Sequence, residues 1–342
     1  MTSLKTVLAS LLLFAAAPVM AAADETPPAY GPMLEGFDYP YPVRTFDFSS
    51  QGEDVQMTYL DVAPDTANGQ TVVLLHGKNF CAATWEGVMG PLLEAGYRVI
   101  APDQIGFCKS SKPAAYQYSL HQLAANTHAL LDSENAGPAI VMGHSMGGML
   151  AMRYAMQFPD STAGLVLVNP IGLEDWKAEG VPYLGVDAWF ESQKQTSAEG
   201  IKAYQKSTYY AGEWRDEYDR WVDMLAGMYR GDESDIVAWS QARTTDMVFT
   251  QPVIHELETI TAPTLLFIGE KDNTAIGKGW SPEAVKSRLG DYSVLGEDAA
   301  GRIPQARLIE FPDLAHSPHI QAPERFNARL LDELESWPAP AD

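Results

Sequence analysis

Val141-Met142-Gly143-His144-Ser145-Met146-Gly147-Gly148 decides how this chain is read. It follows a short apolar run, Ala139-Ile140-Val141-Met142, and opens onto Leu150-Ala151-Met152-Arg153-Tyr154-Ala155, an alanine-rich stretch that reads as a helix. A Gly-x-Ser-x-Gly set between a strand and a helix is a nucleophile elbow. The serine occupies a sharp, strained turn, so the positions two residues either side must lack bulk, and Gly143 and Gly147 supply that. Such a turn aims Ser145 Oγ away from the sheet and toward the positive end of the following helix, where developing negative charge is favoured. Gly147, Ala151 and Ala155 recur every four residues and give that helix a face small enough to lie close on a sheet.

Working outward, Val43–Phe48 and Val55–Tyr59 alternate in polarity as half-exposed antiparallel strands do. Six compact apolar runs follow: Thr71–Leu75, Arg98–Ala101, Ala139–Met142, Leu165–Val168, Thr264–Ile268 and Arg307–Phe311. Helical stretches separate most of them, which predicts an α/β fold with a mostly parallel, doubly wound sheet. Ser119 should cap a helix carrying Leu120, Leu123, Ala124, Leu130 and Leu131. Ser281-Pro282 should start another that Gly290 stops, and Phe326, Leu330, Leu331 and Leu334 should form the buried stripe of the last one. Between Leu173 and Phe249 no buried-strand run occurs and aromatic residues crowd, among them Trp176, Trp189, Trp214, Trp221 and Trp239. That stretch predicts a helical cap inserted between strands 6 and 7, with most of its rings packing the insertion itself. The expected organisation is a signal peptide at 1–23, a core at 24–172 and 251–342, and the cap at 173–250.

The leader reading rests on Lys5, the apolar run Val7 to Ala17, and small residues suited to cleavage after Ala21 or Ala23. An uncleaved anchor is the alternative. Export to a periplasm or beyond the cell follows from the first reading, and no later apolar run is long enough to span a bilayer. That lack of a spanning run argues against stable membrane insertion, and the formal charge of −22 on the 342-residue chain argues against nucleic-acid or anionic-lipid partners. Its two cysteines, Cys81 and Cys108, each lie just past a predicted strand. If those strands are parallel neighbours, the two loops leave the same edge side by side and a disulfide forms; two free thiols are the alternative.

A serine hydroxyl needs a base to take its proton, and the base needs an orienting acid. For this topology the order along the chain is Ser, acid, His. Asp272, after the run ending at Ile268, is the candidate acid, with Glu270 and Asp246 as rivals. His316, directly after the last strand and two residues before Pro318, is the candidate base, with His319 as rival. His76 and His144 read as structural groups at strand ends, and His121, His128 and His255 as surface or helix residues. Oxyanion donors should be the backbone N–H of Met146 and that of Lys78, with Asn79 second to Lys78. The Lys78 side chain either lines the site's mouth or is simply solvated.

Leu75-His76-Gly77-Lys78, Pro102-Asp103-Gln104-Ile105-Gly106, Gly143-His144-Ser145-Met146-Gly147-Gly148, Gly269-Glu270-Lys271-Asp272 and Ala315-His316-Ser317-Pro318 together resemble the α/β-hydrolase superfamily, in the family's order. The resemblance runs from about Asp54 to the last helix. It implies a serine hydrolase with a lid between strands six and seven, Ser145 as nucleophile, Asp272 as acid, His316 as base, Lys78 and Met146 as oxyanion donors, and no metal or organic cofactor. Ser145 argues against dehalogenases and epoxide hydrolases, which carry an aspartate nucleophile. His76-Gly77-Lys78-Asn79-Phe80 lacks the His-Gly-Gly-Pro-Gly of proline iminopeptidases and the Gly-Pro-Gly usual in hydrolases of ring-fission products. The expected activity is therefore that of an exported carboxylic ester or lactone hydrolase acting on a small molecule. Carbon–carbon or small-peptide hydrolysis on the same triad, or ligand binding without turnover, are the alternatives.

Overall fold

Val43–Ser50 (β1) and Glu53–Val62 (β2) form the antiparallel ribbon that their alternation predicts, in register from Val43↔Leu60 to Ser50↔Glu53. Gln51 and Gly52 close it, both at positive φ (55° and 79°), as a tight hairpin turn requires. The computed structural model describes residues 27–337, so the leader expected at 1–23 lies outside the described residues. The apolar runs become β3 (Thr71–Leu75), β4 (Arg98–Pro102), β5 (Ala139–His144), β6 (Thr162–Val168), β7 (Thr264–Gly269) and β8 (Ala306–Phe311). All eight strands join one sheet in the order β1-β2-β4-β3-β5-β6-β7-β8. The β2–β4 pair is antiparallel and every later pairing is parallel.

Alternation along β3 shows why the central strands read as continuous apolar runs. Val73 and Leu75 pack on one face with Leu150 and Ala151, while Val72 and Leu74 pack on the other with Trp85 and Phe326. Both faces are covered, so neither can be polar. The predicted Ser119 cap is present: its Oγ accepts the Gln122 N–H at 3.0 Å at the start of the helix Leu120–Ser133. The last helix, Pro323–Glu335, buries Phe326, Leu330 and Leu334, with Leu331 only partly covered.

One helix departs from expectation. The segment opened by Pro282 gives a single turn, Glu283–Lys286, rather than a helix running to Gly290. Gly290 (φ +66°) is a tight passage against the backbone of Asn273, and the longer helix follows it at Tyr292–Arg302.

Between β6 and β7 the chain builds the helices Val186–Gln193, Ala198–Thr208, Asp219–Arg230 and Ser234–Thr250. Trp221, Met224, Leu225 and Met228 form the buried side of the third. Residues 27–42 are irregular, yet they are tied to both the insertion and the core. The Tyr30 N–H donates to Gly227 O at 2.9 Å in the insertion, and Lys109 Nζ donates to Leu34 O at 2.9 Å in the core. No helix among the described residues is long and apolar enough to cross a membrane.

Because β3 and β4 are parallel neighbours, the loops after them run together, and Cys81 and Cys108 form the expected disulfide with Cα atoms 5.9 Å apart. Buried Asp103 ties the same two loops, accepting from Ala82 N at 2.8 Å and Lys109 N at 3.0 Å. The bridge closes a loop with a sequence separation of 27, for which the chain-entropy model gives about 3–4 kcal/mol. The double variant Cys81→Ala, Cys108→Ala should lower the urea midpoint by a corresponding amount. An unchanged midpoint would show that Asp103 suffices to hold the loops.

Candidate active site

Ser145 sits between β5 and the helix Met146–Gln157 with φ 58° and ψ −121°, a conformation that costs a non-glycine residue roughly 1–3 kcal/mol. The surroundings hold it there. Its N–H donates to Val168 O, and its C=O accepts from Gly148, Met149 and Ile171. A Cβ on Gly147 would collide with the backbone of Leu75, so the turn can pass under β3 only if that position is glycine.

His316 and Asp272 meet beneath this elbow although 44 residues separate them, because β7 and β8 are adjacent and parallel and both loops leave the same edge. The His316 Nδ1–Asp272 Oδ2 distance is 2.6 Å, and both side chains are fully buried. A carboxylate only accepts, so Nδ1 carries the proton and Nε2 of the neutral ring is the acceptor. Among the described residues Nε2 has no hydrogen-bond partner. Ser145 Oγ makes no hydrogen bond among the described residues either, so it and Nε2 are both open to each other or to a substrate. Glu270 is only partly buried, and Asp246 accepts a hydrogen bond from the exposed Tyr183 hydroxyl.

The carboxylate of Asp272 has two further donors that the sequence did not suggest. Asn169, fully buried at the end of β6 with φ 38°, donates Nδ2 to Oδ2 at 3.0 Å, and the Thr274 N–H donates to Oδ1 at 2.8 Å. Asn169 also braces Gly269, accepting its N–H at 2.8 Å. Tyr209, from the insertion, lays its ring 4.8 Å from that of His316, while its hydroxyl accepts from Asn79 Nδ2 at 2.8 Å. One aromatic of the cap therefore covers the histidine, whereas Trp221, Tyr210 and Tyr218 pack within the insertion as expected for most of them.

His76 and His144 have the structural roles expected of them. His76 Nδ1 lies 2.9 Å from Gly77 O and its Nε2 accepts from Gln104 N; His144 Nε2 lies 2.8 Å from His316 O. His319 packs between Trp85 and His144 rather than facing Asp272. Burial holds His144 well below its usual value and His319 down to about 3. For a base depressed in the folded state, the unfolded chain takes up the proton first, so stability present above pH ~6.5 is lost as pH falls below it. At pH 5.5 a histidine held down to about 3 should cost about 1.4 kcal/mol, and His144 acts in the same direction. Urea midpoints at pH 7.5 and 5.5 measure this, and His319→Gln should shrink the difference. Equal midpoints would contradict the burial of neutral imidazoles.

Gly77 brings the β3 loop against the elbow: a Cβ there would stand 3.1 Å from Ser145 Cβ. The backbone N–H groups of Lys78 and Met146 have no hydrogen-bond partner among the described residues, as expected of the two groups offered as oxyanion donors. A cleft of ≈ 520 Å³ opens at this edge between Lys78 and Asn79, the loop 273–280, and Trp189, Tyr204 and Thr245 of the insertion. The Lys78 side chain is not a solvated lysine. It is partly buried, donates Nζ to Gln241 Oε1 at 2.7 Å, and burial lowers it to about 7.

A family model for the alpha/beta hydrolase fold matches residues 70–323. The chain belongs to the α/β-hydrolase fold family. Among solved structures, this α/β hydrolase is similar to a probable hydrolytic enzyme from Pseudomonas aeruginosa PAO1, at 65% identity and a TM-score of 0.90, covering 90% of this chain and 99% of that one. An esterase from Exiguobacterium antarcticum, 23% identical with a TM-score of 0.67 and coverages of 83% and 97%, shares the fold. A curated relative, a 2-hydroxy-6-oxo-6-phenylhexa-2,4-dienoate hydrolase of Burkholderia cepacia, is 31% identical over 141 residues, 40% of this chain and 49% of the relative. The chain thus spans about half the length of the curated relatives it matches.

Proposed function

We propose that this α/β hydrolase is an exported serine hydrolase that opens carboxylic esters or lactones through an acyl-enzyme on Ser145. The observation that carries the reading is the buried Asp272–His316 pair, its Nε2 left free, beside a serine held at φ 58°. Ser145 Oγ would attack the substrate carbonyl as its proton passes to His316 Nε2. The carbonyl oxygen takes the negative charge and is received by the N–H groups of Met146 and Lys78. Collapse breaks the bond to the leaving alcohol, which takes the proton from His316. Water, deprotonated by the same nitrogen, then releases the acid and restores the serine. Asp272 keeps Nδ1 protonated and the ring oriented throughout.

A second reading, hydrolysis of a dienoate of the kind named for the Burkholderia cepacia relative, is favoured by that likeness. As named, such a compound contains no ester, so its hydrolysis breaks a carbon–carbon bond. Lys78-Asn79 following His76-Gly77, in place of Gly-Pro-Gly, favours the ester reading. A chain-length series of aryl esters and lactones, run beside such a dienoate with Ser145→Ala as control, separates the two. Turnover of the dienoate alone would overturn the ester reading. Export rests on residues 1–23 and is supported by the disulfide, a bond kept in oxidising compartments. A mature N-terminus just after Ala21 or Ala23 is the expected result in a secretion-competent host, and an intact Met1 would oppose it.

A further inference from the structure

In a chain with 45 acidic and 23 basic residues, the cleft beside the triad is lined by two lysines, Lys78 and Lys278, and by no carboxylate. Lys278 Nζ donates to Asn273 O at 2.6 Å, Lys78 Nζ to Gln241 Oε1 at 2.7 Å, and neither ammonium has an ion-pair partner among the described residues. The carboxylates whose charge reaches Lys278 are engaged elsewhere. Asp272 faces His316, Glu174 accepts from Trp176 Nε1 and Gly290 N, and Asp291 accepts from Ser293 Oγ. An ammonium has three donors, and the single bond to Gln241 leaves two on Lys78 for something else.

From this charge reversal we propose that the cleft selects substrates carrying an anionic group, a carboxylate, received by Lys78 at the inner wall with Lys278 reinforcing it. The inference rests on the ester-hydrolase reading and names its substrate class: an acyl chain ending in a carboxylate. Removing Lys78 from water without a counter-charge is unfavourable, which is why burial lowers it to about 7. A bound carboxylate would offset that cost and hold the amine protonated. Gln241, on the helix Ser234–Thr250, orients Nζ from the insertion, so cap and core meet at the selecting group.

The test compares the 4-nitrophenyl half-ester of adipic acid with its methyl diester, which differ in one charge. For the wild-type protein, kcat/KM should favour the half-ester by about tenfold or more, mainly through KM, the size expected for a charge-assisted hydrogen bond. That preference should shrink as salt is raised from low to high, and Lys78→Met should abolish the ratio while Lys278→Met reduces it. A ratio near one for the wild type, or one indifferent to salt, overturns the inference and needs no variant to fold. Hydrolysis of neither ester would instead sink the ester-hydrolase reading on which it stands.

Discussion

Ser145→Ala should lower kcat on a simple aryl ester by a factor on the order of 10⁶, leaving only what the oxyanion donors and binding supply over water. No other described hydroxyl stands at the elbow, where the turn itself directs Oγ out of the sheet. The variant should fold normally. Alanine at φ 58° bears the same backbone strain as serine, and the hydrogen bonds that hold the turn are all made by backbone N–H and C=O groups. Circular dichroism and the melting temperature therefore separate loss of chemistry from loss of structure. A variant that turns over at the parent rate would remove Ser145 from the mechanism.

Asp272→Asn should cost about 10⁴ in kcat. The reason lies in the donors around the carboxylate. The Thr274 N–H points at Oδ1, whereas Asn169 Nδ2 and His316 Nδ1 share Oδ2, so an amide at 272 that keeps its oxygen on Thr274 would present its NH₂ to His316 Nδ1. Nδ1 would then have to accept, the ring proton would move to Nε2, and that nitrogen could no longer take the serine proton. The rivals give the control. Glu270→Gln and Asp246→Asn should leave kcat within about twofold, as expected for carboxylates that do not touch the histidine. A strong loss in either, with Asp272→Asn active, would move the acid.

The fold was legible because its two signals are local. Period-two alternation marked β1 and β2, and compact, mainly apolar runs marked β3 to β8. The disulfide followed from one topological step, the adjacency of β3 and β4. The elbow, Asp272 and His316 were legible because each lies directly after a strand whose end could be placed. Tyr292–Arg302 escaped notice because Gly296 and Gly301 dilute its helical signal; Gly296 is there to let Ile268 approach, since a Cβ would lie 2.9 Å from its Cγ1. Asn169 is one polar residue at the end of an apolar strand, with no spacing to mark it. The Lys78–Gln241 and Tyr209–His316 contacts join core to insertion across long stretches of chain, and nothing short-range encodes them.

The central claim is that Ser145 is a nucleophile activated by His316, and covalent labelling by a fluorophosphonate tests it most directly. Mass spectrometry of the labelled mature protein should find a single adduct, on the peptide holding Ser145, with labelling slowed strongly in His316→Ala. A folded protein that takes up no label, or takes it up on another residue, would contradict the account.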